Sequence, residues 1–367
     1  MSPTLILLFL AGLVLLLGGA ELLVRGASRL AVGLGISPLV VGLTVVAFGT
    51  SSPELAVSVR AALTGDGAAD IAVGNVVGSN IANVLLILGL SAVIAPLAVS
   101  RQLVRLDVPI MVGSSLLLVW MARDGSLGRL EGALLFAGVV AYTAFAIVQS
   151  RRETAERGHL DPDPDELRGR RLAIDALLVV AGLALLVVGA RWLVDGAVTL
   201  ATLLGVSELI IGLTVVAVGT SLPELATSAL AAWRGQRDIA VGNVVGSNTF
   251  NILSVLGASA LVAPAGLAVS PQARAFDLPV MLAVAVLCVP IFFTGFRIAR
   301  LEGALFLLFY GAYVAYLALH ATGHPSLASL RWAVLWVAIP MTVLALALAS
   351  VRQWSDGRRA ASNADVP

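Results

Sequence analysis

The sequence predicts an all-α, polytopic membrane protein with two inverted five-helix repeats, which form a ten-helix core, and an eleventh C-terminal transmembrane helix. Three observations support this prediction. First, 59% of the residues are hydrophobic and 12% are charged, whereas soluble domains have about 45–50% and about 25%. Second, apolar runs long enough to cross a hydrocarbon core of about 30 Å recur along the chain. Third, two sequence motifs occur twice in the same order.

Composition excludes several classes of protein. The formal net charge is +1, so bulk charge gives no reason to expect a nucleic-acid partner. Cys288 is the single cysteine, which rules out an intramolecular disulfide and the Cys/His spacing of a zinc site. No cofactor is expected. The N-terminal apolar run lacks a basic region before it and is longer than a signal-peptide core, so it is interpreted as a spanning helix.

The internal repeat is visible in the letters themselves. Residues 42–55 read GLTVVAFGTSSPEL, and residues 212–225 read GLTVVAVGTSLPEL. Residues 70–80 and 238–248 both read DIAVGNVVGSN. The run RLEGAL begins at Arg129 and again at Arg300. Because the order and spacing are kept, the chain consists of two homologous halves.

Each half divides into five apolar segments. The predicted spans are 4–31, 38–63, 70–97, 106–122 and 130–150, then 172–201, 208–233, 238–264, 275–297 and 301–320, with an eleventh at 330–350. The predicted units are a first repeat at 1–150, a charged cytoplasmic loop at 151–171, a second repeat at 172–320, and the extra span with a cytoplasmic tail at 321–367. Ser37-Pro38 and Ser207-Glu208 are helix-start patterns.

An odd number of spans per repeat fixes the relative orientation of the halves. The second half must enter the membrane from the side opposite to the first, so the repeats are inverted. With the N-terminus outside, most arginines fall on the cytoplasmic side, including those of the central loop and of the tail, as the positive-inside rule favours.

Two glutamates inside the spans are the first candidates for chemistry, because ionisable groups in a bilayer are costly and usually functional. Glu54 follows the run GTSSP, and Glu224 follows GTSLP. Thr50 and Thr220 lie four residues earlier, on the same helical face. The glycine and proline of each motif release backbone carbonyls from helical bonds. Carboxylate, hydroxyl and carbonyl oxygens suit Ca²⁺ or Na⁺ rather than soft metals. The alternative, a glutamate that snorkels to the surface, is weakened by the second copy.

The third and eighth segments add neutral oxygens. Ser79 and Asn83 share one helical face, as do Ser247 and Asn251. The glycines of the same segments form small-xxx-small pairs, which are interpreted as helix-packing contacts: Gly74, Gly78, Gly242 and Gly246.

The remaining acidic residues are interpreted as structural. Asp107, Asp277, Glu131 and Glu302 lie near span ends beside arginines and are predicted to be interfacial anchors or ion pairs. Glu21 and Asp195 are predicted to pair with Arg25 and Arg191. The acidic group at 161–166 is interpreted as part of a solvated loop rather than a weak Ca²⁺ site.

The repeated G-T-S-x-P-E and G-N-x-x-G-S-N motifs resemble the two alpha repeats of the calcium/cation antiporter superfamily, and most of all prokaryotic sodium/calcium exchangers. The resemblance covers residues 1–320. It implies a protein of a prokaryotic plasma (inner) membrane. The arginine placement predicts the N-terminus outside, and eleven spans then place the C-terminus in the cytoplasm. The partners that the resemblance implies would be Ca²⁺, Na⁺ and the lipid bilayer, and the ions would be held at the midplane by the second, third, seventh and eighth spans.

The resemblance also implies a set of ligands, carried over by motif position. These are Thr50, Ser51, Glu54, Ser79 and Asn83 from the first half, Thr220, Ser221, Glu224, Ser247 and Asn251 from the second, and the carbonyls of Ala47 and Ala217. The sequence departs from the family in two respects. An aspartate is often found where Asn251 stands, and the eleventh span exceeds the ten-helix core.

The function expected from this resemblance is Ca²⁺/Na⁺ antiport by alternating access, and H⁺/Ca²⁺ antiport is the alternative on the same scaffold. An intramembrane hydrolase would need a serine nucleophile elbow, an HExxH helix or paired catalytic aspartates, and the sequence contains none of these. A channel is disfavoured because a proline-broken site in inverted repeats is typical of transporters.

The predicted orientation places Arg352, Arg358 and Arg359 in the cytoplasm. A fluorescent protein fused to the C-terminus should therefore fluoresce, and a periplasmic phosphatase fused there should be inactive. The reverse pattern in whole cells would show that the orientation or the eleventh span is wrong.

Overall fold

The computed structural model describes residues 3–64, 69–156, 165–203 and 217–344, and these residues are almost entirely helical. The α-helices are α1 Pro3–Leu34, α2 Pro38–Val41, α3 Ala47–Thr50, α4 Ser52–Thr64, α5 Ala69–Ala82, α6 Gly89–Ile94, α7 Val108–Met121, α8 Arg129–Glu156, α9 Asp165–Leu203, α10 Ala217–Gly219, α11 Leu222–Trp233, α12 Arg237–Phe250, α13 Gly257–Val262, α14 Leu278–Phe293, α15 Arg300–Ala321 and α16 Leu327–Ala333.

Short irregular helices and strands complete the chain. The π-helical stretches are Gly42–Val46, Asn83–Leu88, Leu103–Asp107, Asn251–Leu256, Ala273–Asp277 and Val334–Ala338, and Ala122–Asp124 is a 3₁₀ turn. The strands are β1 Leu97–Ala98, β2 Ser126–Leu127, β3 Leu267–Ala268 and β4 Arg297–Ile298.

The described residues contain 9 helices long and apolar enough to span a membrane, or up to 10 if the bent pair Pro38–Thr50 and Ser52–Thr64 is one span. The all-α, polytopic fold is therefore confirmed. The first part of the predicted seventh segment, residues 208–216, lies outside the described residues together with the Ser207-Glu208 start. Helix Leu327–Leu344 has the required length and hydropathy. That it crosses the membrane as an eleventh span stays a prediction.

Two small sheets join the halves in the way that inverted repeats require. Strand β1 precedes the fourth span of the first half, and it pairs with β4, which precedes the last span of the second half. Strand β2 precedes the last span of the first half, and it pairs with β3. Each pair thus joins non-equivalent loops of the two repeats, which places those loops on one membrane face. A two-fold axis in the membrane plane produces this exchange.

The centre of the molecule is α12, in which every residue from Ile239 to Phe250 is buried. Its glycines make the close helix contacts predicted for them. A Cβ atom on Gly242 would lie 2.8 Å from the Leu39 carbonyl oxygen, and one on Gly246 would lie 2.5 Å from the Leu43 carbonyl oxygen. Cβ atoms on Gly74 and Gly78 would meet nothing within 4 Å among the described residues, so the packing role of these two glycines stays a prediction.

The charged stretch 151–171 differs from the predicted loop at both of its ends. Helix α8 continues to Glu156, and α9 already begins at Asp165. The prediction placed the helix ends where the apolar residues end. Since residues 151–156 and 165–171 contain neither glycine nor proline except Gly169, nothing in their backbone chemistry stops the helices at the edge of the hydrocarbon region.

The acidic residues near span ends mostly bind neutral partners. Glu131 accepts the Gly128 N–H at 2.6 Å, and Glu302 accepts the Ala299 N–H at 2.7 Å, so both cap a helix. Tyr313 donates its hydroxyl to Asp277 at 3.2 Å. The prediction of an interfacial anchor or ion pair is wrong for Asp107.

Asp107 is fully buried and accepts the Tyr142 hydroxyl at 3.1 Å. The bond joins the fourth and fifth spans, and a contact between spans cannot be read from neighbouring letters. The Glu21 prediction is confirmed, because Glu21 pairs with Arg25 and also with Arg234 at 2.8 Å. Arg191 and Asp195 are 3.9 Å apart and largely exposed, so this pair adds little stability.

Helices α1 and α9 pack antiparallel along stripes of glycine. A Cβ atom on Gly19 would lie 2.7 Å from the Gly182 carbonyl oxygen, and one on Gly189 would lie 2.7 Å from the Gly12 carbonyl oxygen. Contacts this short leave no room for a side chain. In a bilayer, such close approach supplies the van der Waals contact that holds two helices together.

The adjacent glycines 18 and 19 offer a matched test of this interface. Gly19→Ala should lower the thermal stability of the detergent-solubilised protein, because overpacking costs about 1–3 kcal/mol. A Cβ atom on Gly18 meets nothing within 4 Å, so Gly18→Ala should leave the melting temperature unchanged or raise it. Equal melting temperatures for the two variants would contradict the packing described here.

Candidate ion-binding site

Both repeats interrupt a span at the same motif. In the first half α3 ends at Thr50, α4 begins at Ser52, and the two parts of the span are bent by 46°. Pro53 has no N–H, so the carbonyl one turn earlier loses its helical partner. In the second half α10 ends at Gly219 and α11 begins at Leu222, with Pro223 in its first turn.

The breaks place one glutamate in the first turn of each following half-helix. Glu54 belongs to the first turn of α4 and Glu224 to that of α11. Both are 0% exposed. The N-terminal end of a helix carries a partial positive charge, which favours a carboxylate there. The two glutamates are close enough to repel each other.

Serines cross between the repeats to bind these carboxylates. Ser51 donates its hydroxyl to Glu224 Oε1 at 3.1 Å, and Ser221 lies 3.4 Å from Glu54 Oε1. The Ser79 hydroxyl is 3.2 Å from that of Ser221. Each glutamate is thus bound by the broken motif of the other half. The reciprocity follows from the two-fold relation between the repeats.

A second layer consists of four asparagines from the third and eighth spans. Asn83 donates its Nδ2 to Asn248 Oδ1 at 3.0 Å, and Asn251 donates its Nδ2 to Asn80 Oδ1 at 3.0 Å. Asn80 and Asn248 each donate to the backbone carbonyl of the other, at 3.2 and 3.3 Å. Asn80 and Asn248 therefore fix the orientation of the two predicted ligand amides.

Two further asparagines bind the threonines of the broken motifs. The Thr50 hydroxyl donates to Asn243 Oδ1 at 3.2 Å, and the Thr220 hydroxyl lies 3.5 Å from Asn75 Oδ1. Asn75 in turn donates to Ser58 at 3.0 Å. The equivalent bond from Asn243 to Ser228 is 2.9 Å long.

The sequence reasoning missed Asn75, Asn80, Asn243 and Asn248 as members of the site. All four belong to the run DIAVGNVVGSN, which is identical in the two halves. That identity was the available signal. An identical run in both halves indicates functional residues but does not show which of them face the site. The motif reasoning selected only the positions that share a helical face with Ser79 and Ser247.

Several buried oxygens in this region have no hydrogen-bond partner. They are Glu54 Oε2, Glu224 Oε2, Asn83 Oδ1, Asn251 Oδ1 and Ser247 Oγ. A buried polar atom without a partner costs about 1–3 kcal/mol. In each carboxylate one oxygen is bound by a serine and the other has no partner. In each predicted ligand amide, Asn83 and Asn251, the Nδ2 donor is bound and the Oδ1 acceptor has no partner. The leftover atoms are hard oxygen ligands of the kind that Ca²⁺ and Na⁺ prefer.

The charge of the site is not neutralised by the protein within the described residues. No arginine or histidine there forms an ion pair with Glu54 or Glu224. The described part of the chain also contains no group of three His, Cys, Asp or Glu that could hold a metal ion. Two carboxylates surrounded by neutral oxygens suit a hard cation better than zinc or copper.

The structure brings most of the predicted ligands together. Glu54, Ser221 and Ser79 form one hydrogen-bonded group, and Ser51 and Glu224 form a second. Thr50 and Thr220 bind the asparagines described above. The Ala47 carbonyl accepts the Ser51 N–H at 3.0 Å, so it is not released by the break. Ala217 begins the short helix α10, and its carbonyl makes no contact that tests the prediction.

Comparison with known proteins agrees with this geometry. The sodium/calcium exchanger protein family matches residues 4–148 and 174–319, that is, both repeats. The inner membrane protein YrbG of Escherichia coli (strain K12) is 40% identical over 289 residues, which cover 76% of this chain and 86% of YrbG. The sodium/calcium exchanger MaX1 of Methanosarcina acetivorans is 36% identical over 346 residues, which cover 85% of this chain and 97% of MaX1.

A solved structure has the same fold. The sodium/calcium exchanger from Methanococcus jannaschii superposes with a TM-score of 0.71 and 32% sequence identity, over 85% of this chain and 97% of that protein. A structure of the exchanger NCX_Mj soaked with 10 mM Na⁺ and zero Ca²⁺ gives a TM-score of 0.74 at 30% identity, over 85% and 98% of the two chains. On its sequence, its fold and its paired glutamates, this chain belongs to the sodium/calcium exchanger protein family, whose members are transporters and not enzymes.

Proposed function

We propose that the protein exchanges Ca²⁺ for Na⁺ across a prokaryotic inner membrane by alternating access, with Glu54 and Glu224 as the charged centre. The observation that carries the proposal is the pair of fully buried glutamates, each with one oxygen bound by a serine of the other repeat and one oxygen without a partner. Relatives named as a sodium/calcium exchanger and as an inner membrane protein support the ions and the location.

The ligand set is the one that the motif resemblance implies, and the contacts between the two broken motifs support part of it. The proposed ligands are Thr50, Ser51, Glu54, Ser79, Asn83, Thr220, Ser221, Glu224, Ser247 and Asn251, with carbonyls of Ala47 and Ala217. Ca²⁺ takes about six to eight oxygens, and its binding geometry is flexible. The serines and threonines that now donate to carboxylates or to asparagines can turn their lone pairs towards a cation, because a hydroxyl both donates and accepts.

The electrostatics make the exchange obligatory. Two ionised carboxylates in a water-poor interior are unfavourable unless a cation neutralises them. One Ca²⁺ or two Na⁺ would balance the charge of two glutamates. If only the neutralised site crosses the occlusion barrier, the empty transporter cannot return, and one ion must be traded for the other.

The α1–α9 pair is the proposed moving part. It lies directly against both breaks, since a Cβ atom on Gly49 would lie 2.5 Å from Leu183 Cδ1, and one on Gly219 would lie 2.5 Å from Val194 Cγ2. Leu183 and Val194 both belong to α9. A sliding or rocking motion of this pair would change which side of the broken motifs is covered, while the core helices keep the ions in place.

Transport by purified protein in proteoliposomes tests the coupling ion. An outward Ca²⁺ gradient should drive uptake of radioactive Na⁺, and the uptake should stop when Ca²⁺ is chelated. Uptake of protons in place of Na⁺, reported by a pH-sensitive dye in Na⁺-free buffer, would show H⁺/Ca²⁺ antiport and overturn Na⁺ coupling.

Removing either carboxylate charge should abolish transport. Glu54→Gln and Glu224→Gln each leave one negative charge at the site, so a divalent ion is no longer neutralised, and Ca²⁺ flux should fall by at least about tenfold, the equivalent of 1.4 kcal/mol. Glu302→Gln is the matched control, because a glutamine at this position still caps its helix and lies outside the site. Near-normal Ca²⁺ flux in either site variant would contradict the assignment.

Asn251 offers a test of proton coupling. Its Oδ1 has no partner, and its Nδ2 donates to Asn80 Oδ1. In Asn251→Asp the oxygen that replaces Nδ2 would face the Asn80 oxygen, so the new carboxyl group is best accommodated as a protonated donor, and a third negative charge beside the two glutamates is also unfavourable.

Ca²⁺ binding to Asn251→Asp should therefore release more protons than binding to the wild type. Calorimetry in buffers of different ionisation enthalpy measures this release directly. We expect more protons released per bound Ca²⁺ from the variant than from the wild type at the same pH. Equal proton release from the two proteins would remove residue 251 from the proposed ligands.

A further inference from the structure

A large cavity lies between α14, α15 and helix Leu327–Leu344, and its lining includes none of the proposed ion ligands. Its volume is about 850 Å³, which falls within the roughly 300–1,000 Å³ of ligand pockets. The lining is almost entirely apolar and includes Leu85, Val280, Ala283, Leu287, Phe309 and Ala312. We call it the α14–α15 cavity.

The α14–α15 cavity opens sideways to the hydrocarbon region. Three of its lining residues, Val286, Leu335 and Val343, are 46%, 57% and 59% exposed. In helix Leu327–Leu344 the single buried residue is Thr342, so the helix stands against the cavity rather than filling it. An apolar space of this kind does not hold ordered water, because water needs polar partners. Within a bilayer the material available to fill it is the acyl chain of a lipid.

One end of the cavity carries a positive charge on an aromatic platform. Arg331 donates its Nη2 to the Tyr316 hydroxyl at 2.8 Å and lies 5.2 Å from the centroid of the Tyr316 ring. Tyr316 stacks on Phe276 with ring centroids 3.9 Å apart. No carboxylate within the described ranges forms an ion pair with Arg331. The guanidinium therefore has donors available for an anion, and guanidinium groups bind phosphate well.

The aromatic platform is absent from the equivalent place in the first half. By the repeat, Phe276, Phe309 and Tyr316 correspond to Leu106, Gly138 and Phe145. The Tyr313 hydroxyl that binds Asp277 has its counterpart in the Tyr142 hydroxyl that binds Asp107, so that feature is common to both repeats. At these three positions the second half therefore has two more aromatic rings and one more hydroxyl than the first half, and these groups lie beside the extra helix. Ion binding by the symmetric core does not explain this difference.

We propose that the α14–α15 cavity binds one membrane phospholipid, with an acyl chain between α14, α15 and helix Leu327–Leu344 and the phosphate on Arg331. The lipid joins the C-terminal helix to the core by filling the space that separates them. A guanidinium group binds a lipid phosphate through the same charge-assisted hydrogen bonds that it makes to other phosphates. With the N-terminus outside, Arg331 lies at the outer face, so the lipid comes from the outer leaflet of the inner membrane.

Native mass spectrometry of the full-length protein in mild detergent tests the proposal. Phosphatidylglycerol and a diacylglycerol with the same acyl chains are titrated separately. The wild type should bind one phosphatidylglycerol and bind the diacylglycerol about tenfold more weakly, because hydrogen bonds to charged groups contribute about that factor. Arg331→Gln should bind both lipids alike, at the weaker level. Ala312→Trp, which fills the cavity, should bind neither.

Two control variants separate this site from general lipid adhesion. Arg123 lies over the Trp120 ring, 5.5 Å from its centroid, and Trp120 and Arg123 do not line the cavity, so Arg123→Gln should leave phosphatidylglycerol binding unchanged. Gly311 is next to Ala312 on α15, and a Cβ atom there meets nothing within 4 Å, so Gly311→Trp should also bind normally. If Ala312→Trp does not fold, Ala283→Leu fills the same space from α14.

Several outcomes would overturn the proposal. They are equal binding of both lipids by the wild type, unchanged phosphatidylglycerol binding in Arg331→Gln or in the folded cavity-filling variant, and a dimer in which a second copy covers the cavity. None of these readouts depends on ion transport, so a failure of the proposed exchange activity leaves the lipid test intact.

Discussion

The burial of two carboxylates without a cationic side chain beside them is the constraint on which the rest of this structure depends. Glu54 and Glu224 are 0% exposed, and no arginine or histidine of the described residues pairs with either. Such a site is costly in the interior of a membrane protein. The helix breaks, the serine donors and the helix N-termini each reduce the cost, but they leave one oxygen of each carboxylate without a partner. A hard cation bound between these oxygens would remove the residual cost.

The inverted repeat explains how one short motif can supply both halves of the site. Because the two halves enter the membrane from opposite sides, the broken helices meet near the centre, and each serine reaches the glutamate of the other half. The asparagines repeat the arrangement, since Asn80 and Asn248 bind each other's backbone while holding Asn251 and Asn83. At each membrane face a strand of one half likewise pairs with a strand from a non-equivalent loop of the other half, β1 with β4 and β2 with β3.

The two-fold relation does not extend to every part of the molecule. The α1–α9 pair follows the repeat in its glycine stripes, yet the residues that cover Gly49 and Gly219 both come from α9. The C-terminal helix has no counterpart in the first half, and Phe276 and Phe309 beside it correspond to Leu106 and Gly138. The core of the protein is therefore symmetric, whereas its periphery is not. Residues of the periphery can supply properties other than ion exchange.

The sequence by itself determined the fold class, the repeat, the broken spans and the two glutamates. These follow from hydropathy over long windows and from letters that occur twice, and both kinds of signal are local. Only the tertiary structure decided which neutral residues join the glutamates, because Asn80 and Asn248 act through contacts between spans. It also showed that Asp107, which was predicted to be an interfacial anchor or ion pair, is a buried partner of Tyr142. Contacts between distant segments depend on how helices are rotated and how closely they approach, and the spacing of letters along one helix does not contain that information.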